Sequence, residues 1–178
     1  MGIDNQEQAE TNKILMVIAP QLFRDQEYTE PRKIFEENGI EVSVASIQGG
    51  KAIGAEGTEV NIDLTVSEVS VEDFEAVVFI GGPGMAQIID DESLQVLAKK
   101  FYNAGKLTAA ICVAPSILAK AGIFDNKRAT VWADNKDDLI AGGADYTGES
   151  VTIDGKIITA DGPSSAKEFG EKIAEALK

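Results

Sequence analysis

The residues with the greatest chemical potential in this sequence are one thiol, one glycine-rich turn and one carboxyl. Cys112 is the only cysteine of the 178 residues, and there is no histidine. It stands between an apolar run, Leu107–Ile111, and a segment with helical character from Val113 to Ala121. A side chain at such a strand-to-helix turn is presented above the sheet, as in a nucleophile elbow. Amides of the following turn would face the sulfur, which predicts a stabilised thiolate with a lowered pKa. Pro115 removes one of those donors and leaves Val113 and Ala114. AAICVAPS alone reads equally well as a buried cysteine serving as a small apolar filler.

Gly81-Gly82-Pro83-Gly84 follows a second apolar run, Glu75–Ile80. Glycines there let the backbone approach a ligand and expose amides, which could hold an oxyanion formed by attack of Cys112 on a carbonyl. Taken in isolation, the four residues read first as a plain tight turn. The spacing fits neither a dinucleotide fingerprint nor a phosphate-binding loop. Glu27 lies shortly after the first apolar run, near the start of a helix. Buried beside an elbow, its carboxyl would have a raised pKa and would exchange protons with the sulfur. By position alone it is an ordinary acid in a helix's first turn. Trp132 reads as a packing residue. Asp134, Asp137 and Asp138 lack calcium-loop spacing. Without histidine, Ser-His-Asp and Cys-His machinery and histidine-ligated zinc are excluded within the chain.

The elements that must position these groups alternate. Strands are predicted at Ile14–Ala19, Glu41–Ile47, Glu75–Ile80, Leu107–Ile111 and Ala129–Trp132, and helices at Glu27–Asn38, Asp90–Asn103, Val113–Ala121, Lys136–Ala141 and Ser164–Leu177. Gly49–Asp63 reads as a hairpin excursion, and Asp154-Gly155 as the turn of another hairpin. Such alternation predicts a mostly parallel sheet with helices on both faces, binding ligands at the carboxyl ends of its strands. Residues 13–178 read as one domain, and the polar, acidic stretch 1–12 as a disordered tail that is not a signal peptide. The net charge of −14 opposes binding to nucleic acid or to anionic membranes. A single cysteine suits a reducing, cytoplasmic setting.

Taken together in order, several stretches resemble the PfpI/ThiJ superfamily, which includes PfpI-like intracellular proteases and the parkinsonism-associated deglycase. They are Glu27 with Pro31 and Gly39, GAEGTEVNIDLTVSEV from Gly54, the strand with GGPG, AAICVAPSILAKAG from Ala109, KDDLIAGGADY from Lys136 and TIDGKIITADGPSSAKEF from Thr152. The resemblance spans Lys13 to Leu177. It implies a flavodoxin-like three-layer α/β sandwich of the class I glutamine amidotransferase type. It implies Cys112 as nucleophile, Glu27 as its acid-base partner, and the amides of Gly82 and Val113 at the oxyanion, with Gly81, Pro83 and Trp132 around the pocket. It also implies a homodimer or higher homo-oligomer, a small carbonyl substrate, and no cofactor or metal. Two departures stand out. Val113 occupies the place of the protease branch's histidine, and Trp132 that of the deglycase branch's. The protease reading therefore loses its base. A glyoxalase-, deglycase- or hydrolase-like enzyme is the leading expectation, with redox sensing through reversible oxidation of Cys112, or a non-catalytic role, as alternatives.

Overall fold

The computed structural model describes residues 12–178. The expected tail therefore lies outside the described residues except for Asn12. Its amide donates to the Leu177 carbonyl at 2.9 Å, and its own carbonyl accepts from Glu41 N at 2.9 Å.

Among the described residues, twelve strands and six α-helices follow in order. They are β1 (Lys13–Val17), β2 (Gln21–Phe23), α1 (Asp25–Glu37), β3 (Glu41–Ser46), β4 (Lys51–Gly54), β5 (Glu59–Asn61), β6 (Leu64–Thr65), β7 (Ala76–Phe79), α2 (Pro83–Ala86), α3 (Glu92–Asn103), β8 (Leu107–Ile111), α4 (Pro115–Lys120), β9 (Arg128–Ala129), α5 (Lys136–Ala141), β10 (Asp145–Tyr146), β11 (Val151–Asp154), β12 (Ile157–Ala160) and α6 (Ala166–Ala176). The main sheet runs β11-β12-β8-β7-β1-β3-β6, and only the β11–β12 pairing is antiparallel. AVVF of β7 and LTAAI of β8 are buried at every position. Both are covered on two faces, which is why they read as continuous apolar runs instead of alternating ones. Helices α1 and α6 pack together on one face, and α3, α4 and α5 cover the other. The fold is flavodoxin-like.

Two predicted elements are shorter than expected, for local reasons. The helix after Cys112 starts at Pro115, because Val113 and Ala114 are spent on the turn out of the strand. The predicted strand Ala129–Trp132 pairs only through Ala129. Beyond it, Thr130 N donates to the Thr159 side chain and Trp132 N to the Cys112 carbonyl, so the segment leaves any ladder. Helix α1 contains Pro31, and α6 crosses it so closely that a Cβ on Gly170 would lie 2.8 Å from Pro31 Cα.

Candidate active site

The carboxyl edge of the sheet gathers the chemically interesting residues. Chain leaving β8 turns at Cys112, whose φ is 63°. This is the left-handed region, rare and costly for a residue with a side chain, so the surroundings must hold it. They do so from both sides. Cys112 N donates to Ala160 O at 2.9 Å, and Cys112 O accepts from Trp132 N at 2.8 Å.

Chain leaving β7 passes directly beneath. A Cβ placed on Gly81 would lie 2.7 Å from Cys112 Cβ and 2.8 Å from Glu27 Oε1. Gly81 is thus the floor on which thiol and carboxyl converge, and only glycine leaves them room. Gly82, at φ 112°, is equally constrained, since a Cβ there would lie 2.4 Å from Arg24 N. The Gly82 and Val113 amides face the sulfur and favour its charged form.

Glu27 comes from the first turn of α1 and is wholly buried. Neither carboxyl oxygen makes a well-formed hydrogen bond among the described residues, the Cys112 thiol being the one donor turned toward them. Desolvation therefore dominates, pushing the pKa from 4.5 to about 8 against the opposing influence of the Cys112 thiol and of Arg24's positive charge. The thiol moves up as well, from 9.0 to about 12. Its burial is the largest cause, the charge of Glu27 the next, and the two amides offset only part. This corrects the expectation of a lowered thiol pKa: the turns that lead into α2 and α4 supply two amides, whereas the surrounding core removes water. The two groups interact strongly enough that the proton lost near pH 8 belongs to the pair.

The sulfur opens onto a cleft of about 220 Å³ lined by Arg24, Gly82, Pro83, Ala86, Cys112, Val113, Trp132 and Pro163. Gly82, Val113, Pro83 and Trp132 thus surround Cys112 in the folded chain, with Gly81 and Glu27 behind it. Trp132 is more than a packing residue. Its ring rests on Gly162, where a Cβ would lie 3.1 Å away, yet it is 43 % exposed at the cleft rim. Sequence reasoning missed Arg24, Ala86 and Pro163. The signal for Arg24 was its place three residues before Glu27, just past a strand end. It also missed Asp25, whose buried carboxylate accepts from Glu56 N at 2.8 Å and Thr58 N at 2.9 Å and ties the β4–β5 hairpin to the start of α1. Those bonds hold its pKa below the usual value although burial, the largest single influence, opposes them.

Among the described residues, no group of three or more histidine, cysteine or acidic side chains is placed to hold a metal ion. No helix there is long and apolar enough to cross a membrane.

A model of the DJ-1/PfpI family matches residues 12–176. An uncharacterized protein of Methanocaldococcus jannaschii is 38 % identical, the match covering 98 % of this chain and 87 % of the relative. A protein of Pyrococcus abyssi named a deglycase is 32 % identical over 92 % of this chain and 99 % of its own length. The crystal structure of a ThiJ/PfpI domain protein from Brachyspira murdochii superposes with a TM-score of 0.92 at 40 % identity, covering 94 % of this chain and 96 % of that one.

Proposed function

This chain belongs to the DJ-1/PfpI family, and from that premise we propose that it is a cysteine-dependent, glyoxalase- or deglycase-like enzyme for small reactive carbonyl compounds. Cys112 is the nucleophile and Glu27 the proton carrier. One observation carries the reading: a wholly buried carboxyl with no well-formed hydrogen bond among the described residues converges with the chain's only thiol over a single glycine. Buried, unpaired polar groups cost stability, and they cluster where a reaction needs them. The deglycase name of the P. abyssi relative points the same way.

The chemistry balances without a co-reactant other than water. Ionised Glu27 takes the thiol proton as sulfur bonds to the aldehyde carbon of a 2-oxoaldehyde. The carbonyl electron pair moves to oxygen, which the Gly82 and Val113 amides receive and Glu27 then protonates. Glu27 next removes the hydrogen on that carbon as a proton and returns it to the neighbouring carbon, while the hydroxyl proton passes to the neighbouring carbonyl oxygen. The product is a 2-hydroxyacyl thioester. Water cleaves it, releasing the 2-hydroxy acid and restoring the thiol.

Methylglyoxal tests this. The protein forms lactate above a Cys112→Ala control. Below pH 8, kcat/KM climbs about tenfold per pH unit, because the pair must first lose a proton, and it levels off above. Glu27→Gln abolishes the climb. No lactate above the Cys112→Ala background removes the proposal. A Cys-His protease has no base here, since the chain lacks histidine. Redox sensing requires a resting thiolate, which the raised pKa of Cys112 disfavours, whereas the enzymatic step needs one only as Glu27 takes the proton.

A further inference from the structure

The cleft beside Cys112 contains one cation whose role the proposed reaction leaves open. Of the three arginines in the sequence, Arg32 pairs with Glu36 and Arg128 with Glu149. Arg24 pairs with no carboxylate among the described residues, and its Nε is buried without a hydrogen-bond partner. Its backbone is nonetheless fixed: Arg24 N donates to Gly81 O at 3.0 Å, and Tyr28 N to Arg24 O at 3.3 Å. The acids beside it in sequence form no ion pair with it, although Glu27 feels its charge. Asp25 is satisfied by the amides of Glu56 and Thr58, and Glu27 is turned to the thiol over Gly81. The rest of the cleft is lined by Gly82, Pro83, Ala86, Val113, Trp132 and Pro163, none of which carries a charge.

A guanidinium that lines a small apolar cleft and pairs with no carboxylate among the described residues is a ready partner for a planar anion. In a chain of net charge −14, a local cation also decides whether an anion can approach at all. We propose that Arg24 is the specificity-determining residue of this site and that it selects 2-oxoaldehydes carrying a carboxylate at their far end. The thiol takes the aldehyde, the Gly82 and Val113 amides the oxygen, and the guanidinium the carboxylate. A single carboxylate matches the single cation. A phosphate dianion would keep one charge uncompensated, because no second cation lines the cleft. This inference rests on the enzymatic reading for its substrate class, but the recognition it describes can be measured without turnover.

Two isosteric pairs, each a single carboxylate and its neutral amide, serve as probes. 4-Oxopentanoate and 4-oxopentanamide lack the aldehyde and cannot turn over, and 4,5-dioxopentanoate and 4,5-dioxopentanamide are the corresponding substrates. Binding is measured by calorimetry, and Trp132, the only tryptophan, reports by fluorescence whether the ligand reaches the cleft. The native protein binds 4-oxopentanoate about ten- to a hundredfold more tightly than 4-oxopentanamide, the range expected of a charge-assisted pair. Arg24→Gln binds both alike, and Arg24→Lys keeps part of the preference. The same ratio appears in kcat/KM for 4,5-dioxopentanoate over 4,5-dioxopentanamide. Equal binding of the acid and the amide, binding of neither, or a preference that survives Arg24→Gln overturns the inference. Discrimination in binding with no turnover above Cys112→Ala overturns the enzymatic reading and leaves Arg24 its role. Turnover without discrimination does the reverse.

Discussion

The two ends of the parallel sheet handle left-handed backbone in opposite ways. At the amino edge, Gly39, Gly105 and Gly155 precede β3, β8 and β12 with φ of 72°, 73° and 57°, and a Cβ on any of them would meet nothing within 4 Å. These are ordinary cap and turn glycines, chosen for conformation alone. At the carboxyl edge the glycines are hemmed in. A Cβ would lie 2.7 Å from Cys112 at Gly81, 2.4 Å from Arg24 N at Gly82 and 1.7 Å from Gln21 O at Gly84. There a residue with a side chain, Cys112, takes the positive φ. One end of the sheet is relaxed and tolerant. The other concentrates backbone strain, close approach and an unsatisfied carboxyl around one sulfur, as expected where stability is given up for reactivity.

The largest test of this contrast is the pH dependence of stability. Between about 4.5 and 8 the folded state holds a proton on Glu27 that the unfolded state has released. Stability therefore falls as pH rises through that window. Glu27→Gln lacks the penalty, so at pH 9 it is more stable than the native protein by roughly 3–5 kcal/mol, at about 1.4 kcal/mol per pKa unit. At pH 4.5 the two converge. Urea unfolding at both pH values measures this, and parallel pH profiles would mean that Glu27 is not strained.

A smaller effect separates the two edges directly. Gly84→Ala forces a methyl into the Gln21 carbonyl and costs roughly 3 kcal/mol or more. Gly39→Ala meets only the conformational cost, about 1 kcal/mol. Thermal melts of the pair would show the difference, and equal losses would erase the distinction between the ends. The smallest effect has the opposite sign. Cys112→Gly is more stable than Cys112→Ala by about 1 kcal/mol, since both lose the thiol and turnover and only glycine relieves the left-handed backbone. A Cys112→Gly no more stable than Cys112→Ala would show that the elbow is not strained.

What was legible in the sequence follows the same division. AVVF and LTAAI announce buried parallel strands because burial on both faces writes itself into consecutive residues. Asp154-Gly155 announces its hairpin because turn chemistry is local. Cys112 was visible as the residue between a strand and a helix. By position alone Glu27 read first as an ordinary acid of a helix's first turn, and the family resemblance tied it to the thiol, because its burial is created by Gly81 and Cys112, distant in sequence. The direction of the thiol pKa was misread for a related reason. Helix amides can be inferred from neighbouring residues, whereas desolvation depends on what the whole fold packs around the sulfur. Arg24 was passed over because an unpaired cation is recognisable only once the partners of the other arginines are known.

Pro31 has a consequence for the first turn of α1. Proline has no amide hydrogen, so the Glu27 carbonyl lacks its usual helical donor. The segment bearing Arg24 and Glu27 is therefore fastened less by the rod it begins than by outside moorings, the Gly81 carbonyl and the hairpin amides that grip Asp25. Two side chains that must meet a sulfur from another strand are thus set in place by the loops around them, and the long helix behind can bend without dragging them out of line.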